Sequence, residues 1–113
     1  MNKVKIEVIK THFDEELARE FGVDSACPRH KVGESFISLG FDKPQGFCDE
    51  AWKAIYQYVF ALAHSDRENV FYFKDWIKKP GIAINSCNDG IRPVIFKLTR
   101  LDSKAQIDDF YKE

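Results

Sequence analysis

Apolar and polar residues alternate from Lys3 to Lys10, with Val4, Ile6 and Val8 on one face and Lys3, Lys5 and Glu7 on the other. A period of two predicts a strand with one buried and one solvated face. The pattern changes at Asp14, which suits a helix N-cap. Glu15 and Glu16 suit the positive end of the dipole and Gly22 can leave at positive φ, so a two-turn helix is expected over 14–21. A loop over 25–33, punctuated by Cys27-Pro28 and Gly33, leads to a strand at 35–39. A second loop, 40–47, holds Lys43-Pro44-Gln45-Gly46. The clearest periodic signal follows at 49–64, where Trp52, Ile55, Tyr56, Val59, Leu62 and Ala63 recur at three- and four-residue spacing. It predicts a long helix lying on a sheet. Tyr58 and Phe60 widen its apolar arc, an expectation of cover on more than one side.

A strand is expected at 82–87, then a tight hairpin turn at Asn88-Asp89-Gly90, because Asp-Gly between two β-rich runs supplies positive φ values. The return strand is expected at 92–101, with Val94, Phe96 and Leu98 facing one way and Lys97 and Thr99 the other. Ser103-Lys104-Ala105-Gln106 fits a capping box, so Ile107, Phe110 and Tyr111 are expected on one face of a short C-terminal helix. The order gives a small α+β fold: a mostly antiparallel sheet, one long helix packed on a face and a C-terminal hairpin. Residues 1–102 form the expected domain, and 103–113 a short helix or tail.

At 113 residues and 44% hydrophobic, the chain has material for one core. Seventeen Lys and Arg against eighteen Asp and Glu leave a formal charge of −1, too little field to gather nucleic acid or an anionic membrane surface. Neither is expected as a partner. GxGxxG, P-loop and Gly-x-Ser-x-Gly motifs are missing, so phosphate cradles and serine hydrolase chemistry have no foothold. Three Cys is an odd number, and the chain opens Met1-Asn2-Lys3-Val4-Lys5 with no apolar signal segment. A reducing cytoplasm is the expected setting.

The thiols carry the candidate chemistry. Cys27-Pro28-Arg29-His30 sets a thiol and an imidazole three residues apart, close enough to reach one ion from a tight turn. Cys48 precedes the long helix, where unpaired N–H groups and the dipole favour a thiolate. Cys87 ends a strand beside a turn. Cys27, His30, Cys48 and Cys87 thus make a candidate Cys3His set of the right softness for zinc or iron, while ordinary packing is the competing reading for each thiol. Asp89 and Arg92 flank the hairpin either as turn chemistry with a local ion pair or as an Arg aimed at an anionic ligand near Cys87.

The succession Cys27-Pro28, Lys31-Val32-Gly33-Glu34-x-Phe36, Pro44-x-Gly46-Phe47-Cys48-x-x-Ala51-Trp52 and Cys87-x-Asp89-Gly90-x-Arg92-Pro93-Val94-x-Phe96 resembles a family of short bacterial and archaeal proteins. Its members occur singly or as tandem copies and have no established activity. The resemblance runs from about Lys3 to Asp102 and implies a compact domain with recurrent Cys positions, matched by Cys27, Cys48 and Cys87. The residues themselves leave three functions open. One is a thiol-based metal- or ligand-binding domain. Another is a thiol enzyme or redox protein in which Cys48 attacks, Cys27 or Cys87 resolves and His30 serves as base. The third is a non-catalytic interaction module with buried structural cysteines, whose aromatic segment Val70–Trp76 meets a partner, a second copy of the chain in a homodimer among the candidates. Folding over the core edge is the competing reading of that segment, and a lid over a pocket a further one.

Overall fold

The computed structural model describes residues 1–65, 70–71 and 75–106. Four strands, β1 (Asn2–Thr11), β2 (Ser35–Ser38), β3 (Ile82–Ser86) and β4 (Val94–Lys104), form one sheet in the order β2-β1-β4-β3, with every neighbour antiparallel. Two helices, α1 (Glu15–Phe21) and α2 (Asp49–His64), complete the α+β fold. α2 packs on β1, β4 and β3.

Strand alternation places the core as expected. Val4, Ile6 and Val8 of β1 and Val94, Phe96 and Leu98 of β4 are buried under α2, which contributes Ala51, Ile55, Val59, Leu62 and Ala63. The opposite face carries Lys5, Glu7, Lys97 and Thr99, paired across the strands as Lys5 with Thr99 and Glu7 with Lys97. α1 has the cap its sequence predicts. Asp14 accepts the Leu17 N–H at 3.0 Å, and Gly22 leaves at φ 80° with its N–H on the Ala18 carbonyl. Gly40 is required for a different reason: at φ 127°, a Cβ there would stand 2.8 Å from Met1 Sδ and 3.1 Å from Ala63 Cβ.

Three expectations change and one keeps both of its alternatives. First, β3 and β4 are joined by a seven-residue connection, 87–93, and Gly90 lies outside the positive-φ region. The Asp89 carboxylate organises this turn instead, accepting the N–H groups of Ile91 and Arg92 at 2.9 and 3.0 Å. Second, β4 runs past Leu101 because Asn2 pairs with Lys104, Lys104 Nζ reaches Asn2 Oδ1 at 2.8 Å and the Ala105 N–H binds the Met1 carbonyl. Ser103 and Lys104 are therefore strand residues, not a helix cap; the rest of the expected C-terminal helix, from residue 107, lies outside the described residues. Third, α2 turns Tyr56 and Phe60 to solvent, while on its second side the Tyr58 ring lies 5.5 Å from Phe71. Fourth, within the aromatic segment Phe71 packs against the core while Trp76 is exposed; residues 72–74 lie outside the described residues.

Candidate functional site

β1 and β3 end, and β2 and β4 begin, at one end of the sheet. The N-terminus of α2 reaches the same end. Cys27, Cys48 and Cys87 line one pocket of about 390 Å³ with Glu50, Ala51, Asn88, Asp89 and Arg92. All three are free thiols, partly buried.

Each is positioned by different local chemistry. Cys87 leaves β3 with its N–H on the Val94 carbonyl at 3.2 Å, while its Sγ accepts the Val94 N–H at 3.4 Å. The sulfur is thereby held at the start of the 87–93 connection. That connection is tied back to the chain between β1 and α1, since Pro93 O accepts from His12 N–H and Ile91 O from Asp14 N–H. Cys27 sits in the loop after α1, whose far end is fixed to β1 by paired bonds, Val8 N–H to Glu34 O and Gly33 N–H to Val8 O, both 2.9 Å.

Cys48 is the N-cap of α2, in extended conformation, and its side chain makes no capping bond. Lys43 secures the approach to the helix, with Nζ 3.0 Å from the Phe47 carbonyl and 2.6 Å from Asp49 Oδ1. The same lysine holds the Asp49 carboxyl below its ordinary pKa.

His30, expected as a fourth ligand beside the thiols, does not line the pocket. It is buried among the rings of Phe36, Phe47 and Phe96, with centroids at 5.3, 5.1 and 6.1 Å. Its Nε2 accepts the Cys48 N–H at 3.1 Å. Only an unprotonated nitrogen can accept there, so the neutral ring carries its hydrogen on Nδ1, directed at Glu34 Oε1 3.3 Å away. Both ring nitrogens are engaged. What the sequence offers as a ligand acts as a brace that sets the start of α2, and with it Cys48.

Among the described residues, no three His, Cys, Asp or Glu side chains gather as a metal-ligand group. The zinc or iron set expected from Cys27, His30, Cys48 and Cys87 is not assembled: three members share the pocket and the fourth turns into the core. The lining also holds Ala51 and Asn88, which the sequence marks as motif and turn residues without a site role, and Glu50, which no motif singles out; each lies within three residues of a pocket cysteine.

Besides Asp49, two carboxylates by the site are held below their usual range. For Glu34 the main cause is the Lys31 N–H, 2.5 Å from Oε1, with His30 adding to it. For Asp89 it is the Arg92 N–H, helped by the Ile91 N–H and the Arg92 guanidinium. A carboxyl whose folded-state pKa is depressed adds stability that is complete above its unfolded-state pKa and lost as pH falls through the folded value. Urea midpoints are therefore expected to be level above about pH 5 and to drop below about pH 4, with a shallower drop in Asp89→Asn. Identical acid slopes in the two proteins would remove Asp89 from this account.

Compared with models of known protein families, with curated proteins and with solved structures, the chain matches none of them. Fold and site alone define its class, a small α+β domain with a thiol-lined pocket at one end of an antiparallel sheet. No helix among the described residues is long and apolar enough to cross a membrane.

Proposed function

We propose that this chain is a ligand-binding domain that holds a small thiophilic molecule through Cys27, Cys48 and Cys87. The observation that carries the reading is that three cysteines from separate stretches of sequence line one pocket. The three pack against the core, and each is also left partly open on the same cleft, where a ligand can reach it. A volume of about 390 Å³ falls in the range of small-molecule sites. A closed zinc or iron centre needs three or four converging ligands, so an organic ligand reached by the sulfurs fits this arrangement better. The near-neutral charge supports a small-molecule partner over nucleic acid, and three unpaired thiols suit a reducing cytoplasm.

The size of the pocket supplies the test. Iodoacetamide is small enough to react with each thiol in turn, and three adducts per reduced native chain are expected by mass spectrometry. A maleimide dye larger than the pocket is expected to give one adduct, the remaining thiols reacting only after denaturation. Three dye adducts on the native chain would mean that the cysteines do not share a cleft. No adduct with either reagent would assign them to packing.

A further inference from the structure

We infer that the ligand is the disulfide of a small carboxylate-bearing thiol, recognised by Arg92 and opened by one of the pocket cysteines; this rests on reading the pocket as a thiol-based site. The argument starts from which polar groups of the lining are already used. Asp89 is spent: Oδ1 takes two backbone N–H groups and Oδ2 takes Arg92 Nε at 3.0 Å. Glu50 lies 3.2 Å from Lys53 Nζ, and its side chain is 80% exposed. Arg92 differs. Among the described residues its guanidinium bonds to Asp89 alone, through Nε, which fixes the plane of the group and leaves both Nη amino groups with their four N–H donors uncommitted.

A guanidinium held by Nε is prepared to take a carboxylate by its free edge. It shares the 87–93 connection with Cys87, so anion recognition and a thiol are carried on one short loop. A ligand that uses both needs an acidic group and a centre that reacts with sulfur, and a disulfide with a carboxylate a few bonds away has both.

The exchange balances without another reactant. The cysteine sulfur, having given its proton to solvent, attacks one sulfur of the ligand. The ligand S–S bond breaks as a protein–ligand S–S bond forms, and the other half leaves as a thiolate that takes up a proton. The ligand disulfide is the oxidant and the cysteine is oxidised to a mixed disulfide.

Dithiodipropionate and cystamine carry opposite charges on a similar frame around the same S–S bond, so they separate charge recognition from thiol reactivity. The reduced full chain is mixed with each, adduct formation is followed by intact mass, and both rates are divided by those of a small uncharged thiol. The wild-type chain is expected to prefer dithiodipropionate by about tenfold, equivalent to about 1.4 kcal/mol. Arg92→Gln is expected to lose the preference and Arg92→Lys to keep part of it, with circular dichroism checking that both stay folded. An equal preference in wild type and Arg92→Gln overturns the role of Arg92 and leaves the pocket standing. Should Arg92→Gln unfold, loss of the preference in wild type at high salt serves in its place, and a salt-independent preference overturns the inference. Thiols that ignore both disulfides until denaturation overturn the pocket reading itself.

Discussion

Replacing Phe47 with alanine is expected to lower the unfolding free energy by about 3–5 kcal/mol, a large share of the ~5–15 kcal/mol that holds a domain together. Phe47 is fully buried. Its ring meets Phe36 and Phe96 at 5.2 Å, His30 at 5.1 Å and Trp52 at 6.3 Å. Truncation would remove the centre of an aromatic cluster contributed by β2, β4, α2 and the loop after α1, none of which can easily collapse into the space. The residue also precedes Cys48, so the cluster fixes where α2 begins. Phe60→Ala is the matched control: the same residue type, half-exposed on α2 and stacked on His64 at 4.0 Å. Its cost is expected to stay within about 1 kcal/mol. Urea midpoints at equal slope give both numbers, and equal losses at the two positions would contradict the placement of Phe47 in the core.

The contrast between these phenylalanines also marks what the sequence could reveal. Signals that act within a few residues were legible. Val4, Ile6 and Val8 announce β1, Asp14 and Gly22 bracket α1, and the spacing of Ile55, Val59 and Leu62 gives the buried side of α2. Outcomes decided by distant partners were not. Asp89-Gly90 reads as a tight turn, but the Asp89 carboxylate captures three donors of its own connection and opens it to seven residues. Ser103 reads as a cap, yet Asn2, about a hundred residues away, keeps the strand going through Lys104. His30 reads as a ligand because Cys27 is near in sequence. Three phenylalanines from separate parts of the chain make the core the better place for its ring. The pocket lies between these cases: Cys48 and Cys87 sit at element ends and Cys27 in a loop, which the sequence shows, and only the fold brings the three to one pocket.

The His30 brace leads to the second large effect. His30→Leu keeps most of the volume and the contacts with Phe36, Phe47 and Phe96 but removes the acceptor for the Cys48 N–H. A partly buried donor left without a partner costs about 1–3 kcal/mol, and that loss is expected here. Glu34 contributes little to it, because its side chain is 43% exposed and water replaces the imidazole. His30→Gln presents an amide oxygen of similar reach and is expected to recover part of the stability lost in His30→Leu. Hydrogen exchange at the Cys48 amide follows the same order, slowest in wild type and fastest in His30→Leu, because the bond that protects it is the one removed. The effect should also reach the pocket. With the first turn of α2 no longer braced, Cys48 is expected to react with the bulky maleimide alongside a second cysteine, where the wild-type chain admits one dye. If His30→Leu and His30→Gln are equally stable and protect the Cys48 amide equally, the imidazole only fills space and the position of Cys48 is set by Phe47 and Lys43 alone.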